Sequence, residues 1–472
     1  MILVYIILVL VLVLLANTFI KSAKAHKLQP AERVYDEQLS AKYAEGLGAL
    51  IRCKTVSVKD SFDDTEFKKL RDTVSHSFPK LSENAELMIF GESCLVYKLK
   101  GKDECRNIML MSHHDVVEAK GEWQHEPFGG EVHAGKVWGR GAADTKGSLY
   151  AELQAVEELL EEGFVPACNL YIASSHNEEI GGNGIPMAKE YFEKEGIRFE
   201  LIMDEGGAII DPPLAGMNCE KCAMIAVHEK GRYYLKCTVP AATGHTGLNA
   251  AEPAVQHMAK FISDVSTKDI FIRRIHPQLR GMFEYLAPYC GFAMKLLFSN
   301  LWLFGGIIVK VLPKLNATAG TMLGTTCTFS KINCDGNSSD CTATALLRNV
   351  DKADFEKDIE AFKKLAAKHG VNVEFDEGCE DYVPADMSLP QFKYAVDCVR
   401  EIFPAYVPAP YILPAGTDAR TLTSLCDCTL RFAPLVFSKQ QFNAVHNNDE
   451  NLDVKAVYDA VLYYKQLVRN YK

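Results

Sequence analysis

The chain holds 472 residues, 48% hydrophobic and 24% charged, with 51 Lys and Arg against 61 Asp and Glu for a net charge of −10. This is the composition of a globular protein rather than a disordered one, and its acidic balance argues against nucleic acid as a partner, since a phosphate backbone demands a basic face. The length exceeds what one core usually fills, so two domains are expected.

Met1 to Ile20 is almost wholly apolar, broken only by Tyr5, Asn17 and Thr18. At about 1.5 Å per residue it is long enough to cross a bilayer, and it reads as a single-pass transmembrane anchor occupying residues 1–25. Lys21, Lys24 and Lys27 follow it and no basic residue precedes it, which by the positive-inside rule places the bulk of the chain in the cytoplasm. A cleaved signal peptide competes, because Ala23-Lys24-Ala25 resembles a cleavage site; the missing basic n-region and the long apolar core favour the anchor. Fifteen scattered cysteines, with Cys219 and Cys222 the one C-x-x-C, read as unbridged thiols of a reducing compartment.

Pro30–Leu50 and Phe62–Phe78 have helical periodicity, and Glu86–Phe90 and Leu95–Leu99 read as strands. The apolar run Ile108–Met111 is a short buried strand that delivers Ser112-His113-His114-Asp115-Val116-Val117. On an extended backbone His113 and Asp115 share a face while His114 points away, so a metal-binding imidazole has a carboxylate placed to orient it. Val137-Trp138-Gly139-Arg140-Gly141-Ala142-Ala143-Asp144-Thr145-Lys146-Gly147 is a glycine-punctuated turn into an amphipathic helix, Ser148–Glu162; it lacks the phosphate-binding pattern and carries Asp144 instead. The strand Asn169–Ser174 ends in His176-Asn177-Glu178-Glu179, and the strand Phe199–Met203 ends in Asp204-Glu205-Gly206-Gly207. Acids at successive strand ends, beside a His-x-Asp, point to metal chelation in the crevice of a mostly parallel α/β sheet.

Together these stretches resemble the co-catalytic di-zinc metallopeptidase family that includes aminoacylase-1, glutamate carboxypeptidase and succinyl-diaminopimelate desuccinylase. Within it, His228-Glu229-Lys230-Gly231 and Ser299-Asn300-Leu301-Trp302-Leu303-Phe304 are most similar to the N-fatty-acyl-amino-acid synthase/hydrolase branch. The resemblance implies two Zn²⁺ per chain bridged by Asp144, with His113 and Asp204 on one ion and Glu179 and His446 on the other. It implies Glu178 as general base, Asp115 as the residue orienting His113, and His245, in Gly244-His245-Thr246-Gly247, as an oxyanion stabiliser.

The same resemblance implies a zinc-exopeptidase α/β fold with an inserted ferredoxin-like βαββαβ lid that serves for homodimerisation. The strands Tyr234–Val239, Thr325–Ile332, Ala343–Val350 and Val371–Phe375, with helices Ala251–Val265 and Lys352–His369, fit that order. The expected division is residues 30–226 and 378–472 for the catalytic domain and 227–377 for the lid, interrupted by a hydrophobic insertion at 278–315. The insertion either covers an apolar substrate pocket or lies on a bilayer. The family's lid motif is altered here, with Asn337 in Asp335-Gly336-Asn337-Ser338-Ser339-Asp340 as its equivalent ahead of Arg348. Pro414-Ala415-Gly416-Thr417-Asp418-Ala419-Arg420 resembles the family's substrate loop, which gives Gly416 and Arg420 a part in holding a free carboxylate. The expected function is hydrolysis of an amide or peptide bond beside a free carboxylate, carboxypeptidase- or dipeptidase-like, on small peptides. The alternative is an N-acyl-amino-acid deacylase for apolar acyl groups, and the remote one an inactive membrane-tethered binding protein.

Overall fold

The computed structural model describes residues 1–23, 25–30, 33–241, 253–334, 340–378 and 382–472. His245 and Asn337 lie outside the described residues.

A nine-stranded sheet carries the fold, in the order Glu86–Phe90, Cys94–Leu99, Cys168–Ser175, Asp103–His113, Leu201–Asp204, Thr429–Arg431, Cys222–Glu229, Val407–Leu413, with Ile209–Ile210 paired to Cys222–Glu229. Asp103–His113 is central and runs parallel to both neighbours, with His113 opposite Ser175. Its apolar run is buried on both faces, as a parallel strand under two helical layers must be. Ile108 and Leu110 pack with helices Glu37–Ile51, Lys146–Glu161 and Val454–Asn470, whereas Met109 and Met111 pack with Gly184–Lys194 on the other side. The strand alternation that buries those four residues also fixes where the polar residues after them point.

A second, four-stranded antiparallel sheet has the order Thr326–Cys334, Cys341–Arg348, Tyr233–Val239, Asn372–Gly378. Cys341, Ala343, Ala345 and Leu347 alternate inward against helices Ala254–Thr267 and Lys352–Lys368. One cysteine expectation is corrected here: Cys334 and Cys341 are ladder partners and form a disulfide. Nothing in the spacing announces it, because the pairing is set by strand register.

The N-terminal helix Ile2–Ala23 is long and apolar enough to cross a membrane, and within it only Leu14 and Thr18 are buried. The hydrophobic insertion forms Pro277–Leu286, Phe292–Ser299 and Leu301–Leu315. It does not join the core of the four-stranded unit, where chain order alone would put it. Leu279, Phe283 and Leu286 pack instead with Met224, Val407, Ala409 and Ile412, at the outer edge of the large sheet. Phe283 stacks on Phe298, with ring centroids 4.5 Å apart.

Candidate metal centre

His113 leaves the end of its strand with Nε2 3.0 Å from Asp144 Oδ1, and His446 Nε2 approaches Asp144 Oδ2 at 2.9 Å. One carboxylate is therefore shared between two imidazoles, one oxygen to each. His446 Nε2 also lies 3.2 Å from Glu179 Oε2. His113, Asp144 and Glu179 each offer a ligand atom within 4.8 Å of the others. His446 adopts φ +60° to reach inward from the loop after Lys439–Ala444.

Asp115 organises the rest. Its Oδ1 accepts from the backbone N–H of Glu178 at 3.2 Å and its Oδ2 from that of Glu179 at 3.1 Å, while His113 Nδ1 lies 3.4 Å from Oδ1. Asp115 thus fixes one imidazole, whose Nδ1 also lies 3.0 Å from the Asp115 backbone carbonyl, and through its carboxylate the loop bearing both glutamates. His114 points to the opposite side, as alternation requires, where its Nδ1 lies 2.9 Å from Ser174 Oγ.

The electrostatics describe a site built around positive charge. Burial would push the His113 imidazole toward its neutral form, but Asp115 and Asp144 outweigh it and raise its pKa well above the usual value. Hydrogen bonds to Asp144 and Glu179 raise His446 to about 10. Burial resists ionisation of Asp144, yet the two histidines hold it well below the usual carboxylate range. Glu178 is raised well above normal by burial and then by Asp418 and other carboxylates, and Asp418 is itself pushed up by burial to about 6. This density of buried carboxylates, with imidazoles aimed among them, is the donor chemistry of a divalent metal pair. The residues fit the implied group.

Two residues passed over in the sequence prove central. Glu450 is fully buried; Arg140 Nη1 donates to its Oε2 at 2.6 Å, and the N–H groups of Gly141, Ala143 and Asp144 donate to its Oε1 at 3.1, 2.8 and 3.1 Å. It holds the turn that presents Asp144. Gly139 and Gly141, at φ +145° and +88°, give that turn a path that other residues rarely adopt. Glu450→Ala leaves Arg140 buried and unpaired. It is expected to cost about 3–5 kcal/mol of stability, read as a lower denaturant midpoint, and to weaken metal binding.

The second is Glu205. Both oxygens of Asp204 are taken by backbone, Oδ1 by Glu205 N–H and Oδ2 by Ala419 N–H, each at 2.8 Å. Glu205 is raised well above normal by burial and, among charges, most by Asp144. A Met-Asp-Glu-Gly-Gly run offers two adjacent acids, and the sequence alone does not say which turns inward.

Arg420, mostly buried, feels the charges of Glu229, Asp418 and Glu178, and a Cβ at Gly416 would lie 2.8 Å from its Nη1. Arg348, at the end of Cys341–Arg348, is lowered by burial and then by Arg232 and Arg420. Among the described residues neither Arg348 nor Arg420 makes an ion pair. Arg420, on the short turn Asp418–Leu422, is thus near Glu178, and Arg348, at the end of a strand of the four-stranded sheet, is near Arg420.

Comparison with known proteins agrees with this geometry. The chain matches the model of peptidase family M20/M25/M40 over residues 109–470. It is similar to carboxypeptidase S-like 2 of Dictyostelium discoideum, 30% identical over 98% of this chain and 92% of that one. It is also similar to the N-fatty-acyl-amino acid synthase/hydrolase of Xenopus tropicalis, 26% identical over 98% and 93%. Among solved structures it resembles the M20 family metallo-carboxypeptidase Sso-CP2 of Sulfolobus solfataricus, with a TM-score of 0.65, 17% identity and coverage of 92% and 99%. With the family model spanning most of its length, the chain belongs to peptidase family M20/M25/M40, a family of metal-dependent hydrolases.

Proposed function

We propose that the protein hydrolyses the amide bond of a small peptide beside a free carboxylate, using two zinc ions. The observation that carries this is the Asp144 carboxylate shared between His113 and His446. His113, Asp144, Glu179 and His446 would hold the ions, with one further carboxylate from the Asp204-Glu205 pair. We propose Asp204, which the N–H groups of Glu205 and of Ala419 from a second loop hold in place while each oxygen keeps a lone pair for metal, with Glu205 beside it as the alternative. When bound, such a pair supplies Lewis acidity, lowering the pKa of water and polarising a carbonyl.

The chain's own residues do the remainder. Glu178, raised by burial and neighbouring acids, takes a proton from the attacking water and returns it to the leaving amine. Asp115 fixes Glu178's backbone and His113's ring together. Arg420, with Arg348 beside it, pairs with the substrate carboxylate. The four-stranded unit, with its βαββαβ order, is proposed as a ferredoxin-like lid and homodimer surface spanning 227–377 between the catalytic segments 30–226 and 378–472. His245 and Asn337 are proposed to reach the site from it.

A second reading, deacylation of N-acyl amino acids, is supported by the relative named as an N-fatty-acyl-amino acid synthase/hydrolase and by the apolar insertion. The N-terminal helix is proposed as a retained membrane anchor. The Cys334–Cys341 bridge favours the oxidising, non-cytosolic face for the catalytic body, against the lysine bias that suggested the cytoplasm.

Arg420→Ala tests the substrate assignment. It is expected to raise KM for a substrate with a free carboxylate by roughly 10–100-fold, the worth of one charge-assisted contact, and to leave the already poor hydrolysis of the carboxamide analogue unchanged. Equal losses on both substrates would remove Arg420 from carboxylate binding.

A further inference from the structure

The N-terminal helix and the insertion are joined by polar contacts set in an otherwise apolar surface. Asn17 Nδ2 donates to Ser299 O at 2.8 Å and to Asn300 Oδ1 at 3.0 Å. Asn300 Nδ2 in turn donates to Thr18 Oγ1 at 3.1 Å and to Leu14 O at 3.2 Å. Ser299 and Asn300 are buried, and they mark the break where Phe292–Ser299 and Leu301–Leu315 meet at 110°. Just beyond, Lys21 Nζ pairs with Glu284 Oε1 at 2.8 Å, and Tyr289 OH donates to the carbonyl of His26 at 2.7 Å. Amide hydrogen bonds donated in both directions between two helices fix the register of one against the other.

Leu301–Leu315 is apolar on both sides. Leu301, Ile308 and Leu312 face the core beneath, whereas Trp302, Leu303, Ile307, Val311 and Leu315 are exposed, Trp302 at 57%. Phe292 on the preceding helix is equally open. A helix apolar all round belongs inside a protein or inside lipid. Its 15 residues rise roughly 22 Å, short of a hydrocarbon core of about 30 Å, so it cannot cross alone. Lys310 and Lys314, both exposed near its C-terminal end, suit the headgroup level.

We infer that the bent pair Phe292–Leu315 is a second membrane element, embedded in one leaflet and locked through Asn300 to the N-terminal anchor. The occupant of its exposed apolar face is lipid, because that face continues the exposed surface of a helix long enough to span a bilayer. The inference rests on the anchor reading and extends it: the catalytic body is held against the bilayer at two points and has a fixed orientation to it. It also predicts that the N-terminal helix is retained, since removing it would strip Asn300 and Ser299 of their contacts with Asn17, Thr18 and Leu14.

Tryptophan fluorescence of the full chain tests this, because there are three tryptophans, Trp123, Trp138 and Trp302. The protein is reconstituted into phosphatidylcholine vesicles, with or without bromine on the acyl chains. The emission assigned to Trp302, taken as wild type minus Trp302→Phe, is expected to fall about twofold or more in brominated lipid, while the emission left in Trp302→Phe stays unchanged. Ile307→Trp in the Trp302→Phe protein is expected to restore a quenchable signal. Protein that floats with the vesicles but shows no quenching at either position overturns the inference and leaves the anchor standing. Protein that fails to float overturns both.

Discussion

Glu178→Gln protein is expected to keep its fold and its metal while losing about 10²–10⁴-fold in kcat, the usual contribution of a general base. The amide has the size of the acid but cannot accept water's proton. The environment explains why this acid suits the role. Burial and the charges of Asp418, Asp115 and Glu179 raise its pKa, which makes it a stronger proton acceptor than a solvent-exposed glutamate. Its backbone is fixed by Asp115 Oδ1, and a Gln substitution leaves that contact intact. Parallel measurement of turnover and zinc content decides the matter. Near-wild-type turnover at full metal occupancy would assign the proton transfer to another group.

Asp144→Ala is expected to lose both metals, whereas His113→Ala and His446→Ala each lose chiefly one. The shared carboxylate is the reason: in the proposed arrangement its removal would take a ligand atom from each ion, and it leaves His113 and His446 without their common partner. Metal analysis of the three variants after identical dialysis checks this, and retention of two zinc ions by Asp144→Ala would place the bridge elsewhere. Zinc binding by metal-free protein should also release protons. With His446 raised to about 10, its imidazole is protonated at neutral pH and must lose that proton to bind metal, so affinity weakens as pH falls below that value.

The parts of the site set by local geometry were legible in the chain. Alternation along Ile108–Asp115 is enough to put His113 and Asp115 on one side and His114 on the other, and the strand-then-acid rhythm is enough to suggest metal. The meeting of Asp144 with His446 is different. It depends on sheet order and on the path of the last loop, and only the resemblance supplied it. Glu450 was missed because an acid after Asn447-Asn448-Asp449 looks solvated; the available signal was Arg140, a cation inside a glycine-rich turn that needs a buried partner. The insertion illustrates the limit of chain order. It lies between strands of the four-stranded sheet in sequence, yet its apolar residues pack at the outer edge of the large one, because that edge strand, Val407–Leu413, offers the apolar surface.

The most direct measurement is the kcat/KM of purified, zinc-loaded protein on matched pairs of substrates, dipeptides and N-acyl amino acids against their C-terminal carboxamides. Release of the free amine from the carboxylate forms, with a preference of about tenfold or more over the carboxamides, is the predicted result. A protein that holds two zinc ions and cleaves neither kind of amide, or that cleaves acid and carboxamide at equal rates, would contradict the account.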